Sequence, residues 1–127
     1  MRKDFVDKHP EAVIRFLKAQ KEAMLFAAQN HDLVNKWFLE PANSRAFDAN
    51  IIEASSMNDP QWSAKSLKDI KVAISPAEMS RYLRLAEQVY ELKIFQKPVA
   101  LKERIDNSFA EKVDAMNWDF DPKSLKI

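Results

Sequence analysis

The sequence predicts an all-α fold of about five helices joined by short connections. Its 127 residues include no glycine, which two-residue hairpin loops favour, so a hairpin-rich sheet is not expected. Apolar residues recur at three- and four-residue steps along much of the chain, the spacing of one helix face. Ser75-Pro76-Ala77-Glu78 has the pattern of a capping box with proline at the first helical position. A chain of this length is predicted to form a single helical domain, residues 1–127.

The first long helix is predicted from Pro10 to about Asn30. Proline suits the first helical position because its missing N–H would have no partner there, and Glu11 places a negative charge in the first turn. A short leading turn is expected around Phe5 and Val6. The apolar stripe of the long helix is broad, which predicts burial against more than one neighbour. It comprises Val13, Ile14, Phe16, Leu17, Met24, Leu25, Phe26, Ala27 and Ala28.

Two shorter helices are predicted next. Asp32 is expected to cap the first of them, which ends before Pro41. Asn43 or Ser44 is expected to cap the second, whose apolar side carries Ala46, Phe47, Ile51 and Ile52. The stretch 55–74 is the least regular part of the chain, with a turn signal at residues 58–60. Residues 71–74 are expected to be extended coil.

Two further helices complete the prediction. The capping box opens a helix that runs to about Lys93, and an extended link ends at Pro98. The last helix is predicted from about Val99 to Met116, followed by an aromatic-rich tail over the core. Helix entry is assigned to Pro10, Ser75, Pro76 and Glu78, and the core to Phe16, Leu83, Val89, Ile105 and Phe109.

Composition excludes several classes of function. Lysine and arginine total 20 and aspartate and glutamate 19, so the net charge of +1 produces no long-range attraction for nucleic acid. Without cysteine there is no disulfide, thiolate metal site or cysteine nucleophile. Without glycine there is no phosphate-binding or dinucleotide-binding loop. No apolar run is long enough to span a bilayer. The sequence predicts no catalytic residue, cofactor or metal ligand, and therefore no enzyme.

Isolated polar residues have ordinary structural interpretations. His9 and His31 each precede a helix start and have no partner at metal-ligand spacing, so helix-entry or surface roles are preferred. The carboxylates are expected on solvated helix faces, and the serines at turns and caps. Lys65, Lys68 and Lys71 recur at every third position and suggest a weak anion-binding edge, although a solvated surface is preferred. Large anchoring side chains, in the core or against a partner, are expected at Trp37, Trp62 and Trp118.

Several segments resemble one family of proteins. Residues 4–13, which read DFVDKHPEAV, resemble a phrase that opens a long helix in substrate-binding proteins of ABC transporters of the nitrate, sulfonate and taurine type, related to the binders of thiamine-pyrimidine precursors. The order of later features agrees with the same family. These features are Trp62 with residues 66–69, the entry at residues 74–76 to a helix that bears Tyr82, the link 94–99, and residues 105–109.

The resemblance covers only the C-terminal helical part of a type II periplasmic binding fold, without its sheets. It implies a role in importing small anions or heterocycles through an ABC permease, with a missing N-terminal lobe as partner and a periplasmic location. Residues 1–3 are followed by Asp4 and Asp7, which interrupt any signal-peptide core, so the chain as given is expected in the cytoplasm. The family's ligand contacts lie in the missing lobes, so no ligand-binding residue is assigned, and the chain alone is not expected to bind ligand.

The alternative is a helical protein–protein interaction module. Without its parent lobes, such a segment exposes apolar helix faces, and a symmetric homodimer is the simplest way to cover them.

Overall fold

The computed structural model describes residues 1–39 and 48–125, and these form an all-α fold with six helices. The helices are α1 (Lys3–Lys8), α2 (Pro10–Gln29), α3 (His31–Leu39), α4 (Ala49–Met57), α5 (Pro76–Glu91) and α6 (Ser108–Asp114). Three short 3₁₀ turns lie at Pro60–Ser63, Leu101–Arg104 and Pro122–Ser124. The described residues contain no β-strand, and residues 71–74 are coil with a bend at Ala73, so the prediction of coil is confirmed. The predicted caps Asn43 and Ser44, with Ala46 and Phe47, lie outside the described residues, and α4 itself is capped by Asp48, whose side chain accepts the Asn50 N–H.

The predicted helix entries are confirmed at both main helices. Pro10 occupies the first position of α2. At α5, the Ser75 hydroxyl accepts the Glu78 N–H and the Glu78 carboxylate accepts the Ser75 N–H, so two otherwise unpaired donors are satisfied. Helix α3 begins at His31, one residue before the predicted Asp32 cap. Asp59 caps the 3₁₀ turn Pro60–Ser63 by accepting the Gln61 N–H, which confirms the predicted turn signal.

The core lies between α2, the segment 60–73, α6 and the C-terminal tail. A buried cluster joins Leu25, Ala28, Ala64 and Ile70, with Phe120 of the tail packed against it. Val13 and Ile14 of α2 and Val113 of α6 are also buried. The aromatic tail therefore covers the core, as predicted, although Leu125 at its end stays exposed.

The predicted core list is only partly right. Phe16 is 56% exposed, because it points away from the face of α2 shared by Val13, Leu17 and Leu25. Four other predicted core residues are half-buried rather than buried, namely Leu83, Val89, Ile105 and Phe109. Helix α5 has no buried residue because it packs mainly against the short turn Leu101–Arg104.

The predicted helix from Val99 to Met116 is wrong over its first half. Ile105 has an extended backbone, and α6 begins only at Ser108. The Asp106 carboxylate accepts the Ser108 N–H, which favours a turn over helix continuation. The Asn107 side chain accepts the Ile74 N–H and donates to the Ile74 carbonyl. A tertiary contact thus holds this segment out of the helix.

Candidate functional site

A buried ion pair lies at the centre of the described structure. The Lys21 ammonium of α2 donates to Oδ1 of Asp114, the last residue of α6, at 2.8 Å. The side chains are 2% and 12% exposed, respectively. A buried charge is costly unless it is paired and hydrogen-bonded, so this contact determines how α2 and α6 fit together.

The Asp114 carboxylate also holds the coil segment 71–74, which precedes α5. It accepts the backbone N–H groups of Val72 and Ala73 at 3.1–3.2 Å. Burial alone would raise the pKa of Asp114, but the hydrogen bonds from Lys21, Ala73 and Val72 together hold that pKa below its ordinary value. One carboxylate therefore joins three parts of the chain and stays ionised at neutral pH.

Trp118 lies beside the ion pair and connects the tail to α2. Its indole N–H donates to the Glu22 carboxylate at 2.7 Å. The ammonium groups of Lys18 and Lys21 lie 4.5 and 5.7 Å from the centre of its ring. Such cation–π contacts and the hydrogen bond hold the indole in one orientation.

A pocket of about 740 Å³ opens beside this cluster. We call it the lysine pocket, because Lys65, Lys68 and Lys71 all line it, together with the ion pair. Its remaining lining residues come from α2, from the segment 65–71 and from the C-terminal tail. They are Leu25, Gln29, Ser66, Leu67, Met116, Asn117, Trp118, Asp119, Phe120 and Pro122. The three lysines noted in the sequence thus lie, exposed, on one concave surface.

Asp69 does not line the lysine pocket. Its carboxylate accepts the N–H groups of Lys65 and Ser66 and the Ser66 hydroxyl, within its own turn. These hydrogen bonds lower the pKa of Asp69, and the bond from the Lys65 N–H makes the largest contribution. The Asp69 carboxylate therefore stabilises the backbone of its own turn.

A second concave surface is apolar. A groove of about 570 Å³ runs between α5 and the segment that follows it. Nine residues line the groove, namely Ile74, Tyr82, Leu85, Ala86, Val89, Phe95, Val99, Leu101 and Ile105. Beside it, Leu92 and Ile94 are 72% and 66% exposed. We call the groove and these two side chains together the α5 surface.

The two histidines make ordinary contacts. His31 Nε2 lies 2.8 Å from the Trp62 carbonyl oxygen, and the two rings stack with centres 4.5 Å apart. His9 occupies the N-cap position of α2 without a capping hydrogen bond from its side chain, and its ring centre lies 5.0 Å from that of Phe5. Among residues 1–39 and 48–125, no three histidine, aspartate or glutamate side chains are grouped so that they could hold a metal ion.

Sequence analysis missed the ion pair. Asp114 lies 93 positions from Lys21, and nothing near it in the sequence marks it as buried. The signal that was present is Lys21 itself, which stands four residues from both Leu17 and Leu25 on the apolar stripe of α2. A lysine on such a stripe requires a buried acceptor.

Comparisons with protein-family models, curated proteins and solved structures give no match. The resemblance to solute-binding proteins therefore stays a prediction. None of the helices that the structure describes is long and apolar enough to cross a bilayer.

Proposed function

We propose that this chain is a helical interaction module that self-associates through the α5 surface. The observation that carries the proposal is that a 16-residue amphipathic helix has no buried residue of its own. Helix α5 presents Tyr82, Leu85 and Tyr90 to solvent at 46%, 54% and 42% exposure. A contiguous exposed apolar surface of this kind is typical of protein interaction sites.

A second copy of the chain suits this surface. A two-fold interface requires one patch that is complementary to itself. The α5 surface combines an apolar groove with the highly exposed side chains Leu92 and Ile94, which lie in the chain between the groove residues Val89 and Phe95. Two copies related by a two-fold axis place these side chains of each copy against the groove of the other. The net charge of +1 offers little repulsion between copies.

The test is the mass in solution, measured by light scattering across a dilution series. We expect a dimer for the unmodified chain and a monomer for the double variant Leu85→Lys/Ile94→Lys. Both side chains are more than half exposed, so the variant should keep its helical circular dichroism. The matched control is Phe16→Lys/Met57→Lys, which changes two equally exposed apolar residues on α2 and α4.

Two results would contradict the proposal. One is an unmodified chain that stays monomeric over the whole dilution series. The other is a dimer that survives in the α5 double variant but is lost in the α2/α4 control, since the interface would then lie elsewhere.

A second candidate function rests on the resemblance to solute-binding proteins. The observation that favours it is that residues 1–39 and 48–125 form helices and no sheet, as expected for the C-terminal helical part of that fold. In this proposal the chain assists import of a small anion or heterocycle through an ABC permease, and separate α/β lobes cover the α5 surface. A thermal-shift panel of nitrate, sulfonates and pyrimidines tests it in the presence of such lobes. A panel without any shift in melting temperature would count against it.

A further inference from the structure

We infer that the lysine pocket binds a small organic anion, with the anionic group at Lys68 and Lys71 and an apolar body against Phe120 and Leu67. This site is separate from the α5 surface and does not depend on self-association. The inference rests on three observations: the positive charge of the lining, its apolar part, and the rigid frame behind it.

The lining carries four lysines (Lys21, Lys65, Lys68 and Lys71) and two aspartates (Asp114 and Asp119), an excess of two positive charges. Lys21 and Asp114 neutralise each other in their ion pair. Lys65 is attracted to the nearby carboxylate of Asp69. No aspartate or glutamate in the described ranges forms an ion pair with Lys68 or Lys71. These two lysines line the pocket, and their ammonium groups supply donors for an anion.

The apolar part of the lining selects for an organic body. Leu67 and Phe120 are half-buried against the core cluster, so their positions are set by packing. Trp118 adds an aromatic face whose orientation is fixed by the hydrogen bond to Glu22. An inorganic anion would gain nothing from these side chains, whereas an aryl or alkyl carboxylate removes them from water.

The frame of the pocket is rigid enough to be preformed. The buried Lys21–Asp114 pair forms one part of its lining, and Asp114 also holds the backbone at Val72 and Ala73, next to Lys71. A volume of about 740 Å³ lies within the range of pockets that hold small ligands. Electrostatic attraction at exposed lysines is modest, so we expect weak binding that is sensitive to salt.

The experiment is an NMR titration of the uniformly ¹⁵N-labelled chain with 2-naphthoate. Its uncharged analogue, 2-naphthamide, and inorganic phosphate are titrated in parallel. We expect naphthoate to shift the amides of residues 65–71 and 116–120 and the Trp118 indole N–H. The amide analogue should bind roughly tenfold more weakly, because it lacks the charge that two exposed lysines attract.

Variants separate the lysine pocket from general surface charge. Lys68→Gln/Lys71→Gln should weaken naphthoate binding roughly tenfold. The control Lys8→Gln/Lys102→Gln removes two exposed lysines outside the pocket and should bind within about twofold of the unmodified chain. Neither double variant removes a side chain that is packed in the core, so both should stay folded.

Four outcomes would overturn the inference. Equal binding of naphthoate and naphthamide would show that charge is not recognised. If phosphate shifts the same resonances as strongly as naphthoate, the pocket has no preference for an organic anion. Unchanged affinity in the Lys68/Lys71 variant would exclude these lysines. Absence of any shift up to millimolar naphthoate would exclude the site itself.

Discussion

At the scale of single residues, the Lys21–Asp114 pair decides how distant parts of the chain meet. The ammonium comes from the middle of α2 and the carboxylate from the end of α6, and the same carboxylate accepts two N–H groups of the coil segment 71–74. The surface pairs Arg2–Asp4 and Lys3–Asp7 are local in sequence and solvent-exposed, so they contribute little to stability. The contributions of the buried pair and of an exposed pair to the free energy of unfolding can be measured and compared.

We predict that Asp114→Asn lowers the free energy of unfolding by about 3 kcal/mol at pH 7, because it leaves the Lys21 ammonium buried without a counter-charge. Urea denaturation measures the difference. The matched control Asp7→Asn breaks the exposed Lys3–Asp7 pair and should cost less than about 0.5 kcal/mol.

The stability difference between the unmodified chain and Asp114→Asn is predicted to depend on pH. The folded-state pKa of Asp114 is depressed, so its contribution is fully present above the unfolded carboxyl pKa of about 3.9 and is lost as pH falls through the folded value. The stability difference between the unmodified chain and Asp114→Asn should therefore be constant from pH 7 to about pH 5 and should shrink towards pH 2. A difference that grows on acidification would contradict the ion pair.

Sequence patterns identify some of these residues but do not predict which of them come into contact. The lysine triplet at positions 65, 68 and 71 is visible in the sequence, and so is Lys21 on an apolar stripe. The sequence around Asp114 does not predict that it is buried, because its burial depends on α2 and the segment 72–73 packing onto α6. Long-range pairing of this kind has no periodicity that a single sequence displays.

At the scale of secondary-structure elements, α5 shows how a helix can be started and stopped by its own sequence. The Ser75–Glu78 capping box begins it. At its end, the Ile94 N–H donates to the Val89 carbonyl and the Lys93 N–H to the Tyr90 carbonyl, the two hydrogen bonds of a Schellman motif. That motif requires a left-handed residue, and here Lys93 occupies it with φ of 58°.

We predict that Lys93→Gly raises the free energy of unfolding of α5 by about 1 kcal/mol. A left-handed conformation costs a residue with a Cβ roughly that much, and glycine avoids this cost. Native-state hydrogen exchange of the α5 amides measures the change. The control Gln88→Gly places glycine in the interior of the same helix and should lower stability by about 1 kcal/mol. Equal effects of both substitutions would show that the left-handed turn is not formed.

The prediction for the last helix is wrong because contacts with residues distant in the sequence override the local pattern. Residues 99–107 have apolar spacing that suits a helix, but the Asp106 turn and the Asn107 contacts to Ile74 compete with it. Propensity is a weak prior that tertiary hydrogen bonds override. The helix that remains, α6, places Ala110 and Val113 in the core.

At the scale of the whole molecule, burial is uneven. The buried residues cluster around α2, the segment 64–70 and α6, whereas the surfaces of α5 and the following link are half-buried or exposed. Isolated helices of about 16 residues are marginal in water, so α5 depends on whatever covers its apolar face. The stability of α5 should therefore differ from that of the core.

We predict that hydrogen exchange separates these two regions. In dilute solution the α5 amides should exchange through local opening, much faster than the amides of Leu25 and Val113, which require global unfolding. At concentrations where the proposed dimer forms, the α5 amides should become protected. Amides of α5 that are as protected as those of α2 in dilute solution would contradict this uneven stability.

Local sequence is enough to predict the helical class, the entries at Pro10 and Ser75 and the turn at Asp59, because these signals depend on neighbours within four residues. Tertiary packing sets the pairing of Lys21 with Asp114, the position of three lysines around one pocket and the exposure of Phe16. Those outcomes depend on which helix faces meet across the core. Local periodicity shows that a face is apolar, but not what will cover it.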